Sequence, residues 1–173
     1  MCVILVKRKG VKMPSKRELK RAADYNHDGC GFVSSNGLYY RSMDFEDFYN
    51  HLKGVGVNDA CIIHFRWATT GSPKVSNCHP FVKNGLYFAH NGILKVRTEN
   101  DMTDSETVFL KELEPAIRQY GIQSDDVRFG IKCMIGYSKF AFMQDGEIYT
   151  FGNFVNVNGV LYSNLNHGYT YAY

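Results

Sequence analysis

The segment Ala60-Cys61-Ile62-Ile63-His64-Phe65-Arg66-Trp67-Ala68-Thr69-Thr70-Gly71-Ser72-Pro73 changes character half-way along. Ala60 to Arg66 is an apolar run of strand length, and Thr69 to Pro73 is a polar loop, so the strand delivers polar side chains at its end. Leu86 to His90 does the same and stops at Asn91-Gly92. At the start of the chain, Val3-Ile4-Leu5-Val6 is a continuous apolar run that suits a strand buried on both faces, which would hold Cys2 on a rigid element.

Around these strands the pattern alternates between helix and hairpin. Ser15 and Glu18 have capping-box spacing, and Leu19, Ala22 and Ala23 supply an apolar stripe for a helix over 15–24. Cys30 to Ser35 and Leu38 to Arg41 read as strands joined at Asn36-Gly37. Phe45, Phe48, Tyr49 and Leu52 recur at helical spacing until Gly54. A longer helix is expected over Ser105 to Tyr120, kinked or divided by Pro115, and a short one after Ser124. Strands return over Met134 to Met143, Glu147 to Phe151 and Val160 to Tyr162, with turns at Asp145-Gly146 and Asn158-Gly159. Strands early, helices in the centre and hairpins late give an α+β fold of mixed sheets covered by helices.

With 173 residues the expectation is a single domain over 1–173, large enough for a full core. Lys and Arg number 20 against 17 Asp and Glu, a balance too small and scattered to argue for nucleic acid. No apolar run is long enough to span a bilayer, and the apolar residues 3–6 precede Lys7-Arg8-Lys9, the reverse of a secretory signal, so a cytoplasmic location is expected. The five cysteines lack the paired spacing of a zinc or redox site, so reduced thiols are expected, no metal or other cofactor is implied, and Cys61 and Cys133 read as small buried residues.

Cys2 is the exception. Aminopeptidases remove Met before small side chains, and loss of Met1 would leave a thiol and an α-amine on one residue. Such an amine titrates near ~8, so it can take the thiol proton at cellular pH without a histidine. Taken alone, a Met-Cys start fits better a small residue opening a buried strand.

The wider pattern supplies a context. Ile63 to Pro73, Asn77-Cys78-His79-Pro80-Phe81, Ala89-His90-Asn91-Gly92-Ile93-Leu94 and Thr103-Asp104-Ser105-Glu106 together resemble the class II glutamine amidotransferases. Cys2 at the start, Asp28-Gly29-Cys30-Gly31-Phe32 and Phe140 to Asn164 extend the resemblance over nearly the whole chain. It implies an N-terminal-nucleophile hydrolase with a four-layer αββα sandwich, acting on L-glutamine to give glutamate and ammonia through a thioester on Cys2. It implies that Arg66 holds the substrate α-carboxylate and Asp104 the α-ammonium. It also implies that Asn91 and Gly92 form the oxyanion hole, and that Trp67 and Thr69 wall the pocket. Read without the resemblance, Arg66 would be a surface ion-pair partner, Asp104 the N-cap of a helix starting at Ser105, and Asn91-Gly92 an ordinary turn. His79 and His90 are expected to be structural.

Two departures from the family pattern stand out. Only about ten residues separate Asn91-Gly92 from Asp104, where the family usually places a further helix and strand, and Thr70 replaces a histidine common in the synthase branch. The chain is too short for a second catalytic module, so an ammonia-accepting synthase partner acting in trans is expected. Two other readings share these residues: an N-terminal-nucleophile hydrolase of another γ-glutamyl amide, and a non-catalytic glutamine-binding module if Met1 is retained.

Overall fold

A computed structural model describes residues 2–69, 71–98 and 102–166, so that Met1 and Thr70 lie outside the described residues. The first half of the chain contributes strands β1 (Val3–Lys7), β2 (Cys30–Ser34), β3 (Tyr39–Ser42) and β4 (Cys61–Phe65), with helices α1 (Lys16–Tyr25) and α2 (Phe45–Leu52). The second half holds β5 (Phe81–Lys83), β6 (Leu86–Asn91), α3 (Asp104–Val108), α4 (Glu114–Tyr120), α5 (Asp125–Ile135), β7 (Lys139–Gln144), β8 (Glu147–Phe151), β9 (Val155–Val157) and β10 (Val160–Tyr162). Among the described residues the strands form two antiparallel sheets, ordered β3-β2-β4-β1-β10-β9 and β5-β6-β7-β8, which gives the expected α+β class.

Strand periodicity explains why β1 and β4 are apolar throughout. Val3 and Leu5 of β1, with Cys61, Ile63 and Phe65 of β4, pack with Leu19 and Ala22 of α1 and Phe48 and Leu52 of α2. The alternate residues Ile4, Val6 and Ile62 turn the other way and meet Ala89, Ala141 and Met143 of the second sheet. The second sheet's opposite face carries Phe88, Phe140 and Phe142 against Val108, Leu113, Ile117, Val127 and Ile131 of the later helices. Both faces of each central strand are therefore buried, which is the condition that favours an unbroken apolar run.

Local signals set most helix ends. Ser15 and Glu18 form the expected reciprocal capping box on α1, and the Asp44 carboxylate accepts from Asp47 N–H to cap α2. Pro115 lacks the N–H that an uninterrupted helix needs, and the chain takes a wide π turn over Phe109–Leu113 before resuming as α4.

Two expectations are corrected here. Met134 and Ile135 belong to α5 and not to a strand, because Val127, Ile131 and Ile135 recur at four-residue spacing on its buried face; the helix stops at Gly136, whose φ is +53°. Cys133 sits on the same helix and is exposed, whereas Cys61 is buried as expected.

Lys7 ends β1 as a buried cation, and its Nζ donates to the carbonyls of Gly56, Val57 and Asp59 at 3.0, 2.9 and 2.5 Å. One ammonium therefore satisfies the backbone of the turn that leads into β4. Lys7→Met, which keeps the chain's bulk but leaves those carbonyls without their donor, is expected to cost about 3 kcal/mol of stability. A denaturant midpoint matching the unmodified protein would show that water replaces the ammonium without loss.

Candidate active site

The antiparallel registers bring distant residues to one end of the first sheet. Val3 pairs with Phe65, so Cys2 and Arg66 emerge beside each other, and Cys30 also pairs with Phe65, which places the Asp28-Gly29 turn next to them. That turn fastens the exit of β4: Arg66 N–H donates to Gly29 O at 2.8 Å, Asp28 N–H to Arg66 O at 2.9 Å, and Ala68 N–H to the Asp28 carboxylate at 2.7 Å. Gly29 has φ +119°, and a Cβ there would collide with Cys78 Sγ, so a larger residue would displace the clamp.

Cys2 is half-buried and its thiol faces the backbone of Trp67. Trp67 N–H donates to Sγ at 3.3 Å, and Sγ lies 3.4 Å from Trp67 O. Burial pushes the thiol's pKa up, opposed by the Trp67 backbone and by the positive charge of Arg66. A thiol so placed stays protonated near neutrality and needs a base to attack a carbonyl. The Cys2 carbonyl accepts from Asn164 Nδ2 at 2.7 Å, so the last described segment after β10 helps to fix the backbone of Cys2.

Arg66 is not the surface ion-pair residue that its type alone suggests. It is 3 % exposed, and its guanidinium donates to the carbonyls of Ser72 and Gly71 at 3.2 and 3.3 Å. Trp67 is partly exposed, its ring against His27 and Tyr25.

Asp104 approaches from the second half of the chain. It is not the N-cap: helix α3 begins at Asp104 itself, and the Thr103 hydroxyl caps it by accepting from Glu106 N–H. The carboxylate instead accepts from the loop after β6, with Leu94 N–H donating to Oδ2 at 2.8 Å, and from its own helix, with Ser105 N–H donating to Oδ1 at 2.8 Å.

A narrow cavity of about 30 Å³ is lined by Cys2, Arg66, Trp67, Thr69, Gly92 and Asp104, together with His79, His90 and Ser105. Its volume is close to that of one water molecule. Six of the seven residues expected from the sequence thus share one cavity. Asn91 is the seventh, and it borders instead a neighbouring cavity of about 730 Å³ that also takes in Gly92. Asn91 Nδ2 donates to Ser163 Oγ at 2.8 Å. An amide NH₂ carries two hydrogens, so the second remains for another acceptor. Gly92 has φ +146°, and a Cβ at that position would run into Ser138, so only glycine lets this backbone pack so closely.

The cavity's two histidines are neutral. Burial pushes His90 down to about 4, against the pull of the Asp104 charge, and holds His79 well below the ordinary imidazole value. His79 lies 4.3 Å, ring to ring, from His64, which burial pushes down to about 3. Among the described residues no group of three or more His, Cys, Asp or Glu is arranged to hold a metal ion. Nor does any helix among them have the length and apolarity to cross a membrane.

Ser105, Ser163 and Asn164 were not singled out from the sequence. Each is a common polar residue whose role comes from what β6, β1 and β10 bring beside it, and no spacing rule points to it.

This geometry can now be set beside known proteins. Residues 55–151, more than half of the chain, match the family described as glutamine amidotransferases class-II, and the chain belongs to that family. Among similar proteins, the glutamine–fructose-6-phosphate aminotransferase (isomerizing) of Helicobacter pylori is 30% identical over 95 residues, covering 51% of this chain and 15% of that protein. The enzyme of the same name from Fusobacterium nucleatum is 34% identical over 76 residues, covering 41% of this chain and 12% of its own. That from Zymomonas mobilis is 30% identical over 82 residues, covering 44% and 14%. The matches thus span a small part of the length of these relatives.

Proposed function

We propose that residues 1–173 act as one glutaminase domain of the four-layer αββα, N-terminal-nucleophile type, hydrolysing L-glutamine to glutamate and ammonia. The observation that carries this reading is the convergence of Cys2, Arg66, Trp67, Thr69, Gly92 and Asp104 on one cavity from separate parts of the chain. Helix, sheet, sheet and helix contacts in the three apolar clusters support the layer order.

In the proposed reaction, removal of Met1 exposes the α-amine of Cys2, which accepts the thiol proton. The thiolate attacks the side-chain amide carbon of glutamine. Gly92 N–H and the spare hydrogen of Asn91 Nδ2 receive the developing oxyanion. The amine returns the proton to the leaving nitrogen, ammonia departs, and water cleaves the γ-glutamyl thioester to regenerate the thiol. Arg66 exchanges its loop carbonyls for the substrate carboxylate, and Asp104 receives the ammonium. Trp67 and Thr69 wall the pocket. In the cytoplasm, an ammonia-accepting synthase partner takes up the product.

Glutamine turnover with equal release of glutamate and ammonia tests the reaction, and glutamine left intact by a protein lacking Met1 would refute it. Arg66→Lys and Asp104→Asn are each expected to raise KM for glutamine about tenfold or more, because each removes a charge-assisted contact to the head group. Steady-state kinetics would show this, and an unchanged KM in both variants would remove the head-group assignment.

A further inference from the structure

His90 and Ser105 line the cavity without a part in the steps above. Their hydrogen bonds nonetheless run directly to the carboxylate at its wall. His90 Nδ1 lies 2.7 Å from Ser105 Oγ, and Ser105 Oγ donates to Asp104 Oδ1 at 3.3 Å. His90 is the residue before Asn91-Gly92 on β6, whereas Ser105 and Asp104 open α3. The chain of contacts therefore joins the strand end that would bind the oxyanion to the carboxylate that would bind the head group.

Given the glutaminase reading, on which this rests, we propose that His90 is a positioning residue that fixes Asp104 through Ser105 and so sets selectivity for a substrate α-ammonium. In this proposal the chain has a direction: with the one Ser105 hydroxyl hydrogen on Asp104, His90 holds its proton on Nδ1 and donates it to Ser105 Oγ. Nε2 is left as a lone pair, and it has no hydrogen-bond partner among the described residues. An unpaired buried acceptor is better tolerated than an unpaired buried N–H, so the surroundings favour the same tautomer. Phe140 and Phe88 flank the ring at 5.3 and 6.4 Å.

The outcome is an Asp104 carboxylate whose oxygens already accept from Leu94 N–H, Ser105 N–H and Ser105 Oγ–H. A carboxylate offers roughly four lone-pair sites, so about one remains for the ammonium. Without the Ser105 hydroxyl, Asp104 keeps its backbone donors but loses the link to β6 and the orientation that link imposes.

The test compares glutamine with 4-carbamoylbutanoate, the same amide and carboxylate without the α-amine. Ser105→Ala is expected to lower the preference in kcat/KM for glutamine over the analogue about tenfold, and Ser105→Thr, which restores a hydroxyl, to recover it. An unchanged preference in Ser105→Ala, or equal losses on both substrates, would overturn the proposal. The His90 tautomer, read from its ¹⁵N shifts in the unmodified protein, decides it independently of activity: an Nδ1-bound proton supports the chain and an Nε2-bound proton overturns it. Failure of the unmodified protein to hydrolyse glutamine would defeat the glutaminase reading instead, and leave the tautomer to decide the contact chain.

Discussion

Cys2→Ala is expected to lower kcat for glutamine by about 10⁴-fold or more, the scale on which removing a covalent nucleophile acts. Cys2→Ser is expected to fall nearly as far. The site supplies no strong base to a hydroxyl: His79 and His90 border the cavity, but burial keeps both neutral with weak proton affinity, His90 down to about 4. The α-amine of residue 2, near ~8 when exposed, is matched to a thiol far better than to an alcohol. Stability is expected to change little, since Cys2 is half-buried and the hydrogen-bond contacts of its Sγ among the described residues are those with the Trp67 backbone at 3.3 and 3.4 Å. Glutaminase assays on variants with unaltered denaturant midpoints separate chemistry from folding. Activity in Cys2→Ala within tenfold of the unmodified protein would place the nucleophile elsewhere.

Acidification is expected to destabilise the fold steeply, through His64, His79 and His90, which are 0 %, 5 % and 2 % exposed. In the unfolded chain each imidazole titrates near ~6.5. In the folded protein burial lowers His64 to about 3 and His90 to about 4, and holds His79 well below its ordinary value. Between those limits the unfolded state binds protons that the native state refuses. Their stabilising contribution is therefore complete above the unfolded value and drains away as pH falls through the window from ~6.5 to about 4, continuing to about 3 for His64. Each imidazole removes about 1.4 kcal/mol per pH unit inside the window, so the three together remove about 4 kcal/mol per unit. Against a typical stability of about 5–15 kcal/mol, that is enough to unfold the protein within two or three units. Denaturant midpoints at pH 7, 6 and 5 measure it directly. A flat profile over that range would mean that water or a polar partner solvates these rings in the native state.

The parts of the fold that were legible in the sequence are those governed by local physics or by burial on two faces. The capping box at Ser15 and Glu18, the turn at Asp145-Gly146 and the unbroken apolar runs of β1 and β4 each constrain their own segment strongly, and each was placed within a residue or two. Met134 and Ile135 were misplaced because a short apolar run beside a strand has no period of its own, and only the spacing from Val127 reveals the helix. The three-residue strands β5 and β9 are too short to show alternation, whereas β10, equally short, is marked by the Asn158-Gly159 turn before it. Nothing in the run Lys7-Arg8-Lys9 marks its first residue as buried; three carbonyls of a distant turn draw Lys7 inside.

The candidate site divides along the same line. Cys2 stood out by its place after Met1, whereas Arg66, Gly92 and Asp104 take their expected roles from the resemblance to the class II glutamine amidotransferases; their residue types alone suit an ion pair, a turn and a cap equally well. Ser105, Ser163 and Asn164 carry no such signature. They act by holding His90 and Asp104, Asn91, and the Cys2 carbonyl respectively, and those pairings span up to 162 residues of sequence. The link between Asp104 and Leu94 likewise depends on how α3 returns to the end of β6, and this is why Asp104 read as a cap.

The central claim is that Cys2, once Met1 is removed, is the nucleophile of a site that takes glutamine. Intact-mass spectrometry of the purified protein before and after 6-diazo-5-oxo-L-norleucine, followed by peptide mapping, tests both halves together. The account predicts a chain lacking Met1 that gains a single adduct, on Cys2, and is protected from it by excess glutamine. A chain that retains Met1 and gains no adduct, or one labelled on another cysteine with Cys2 untouched, would contradict it.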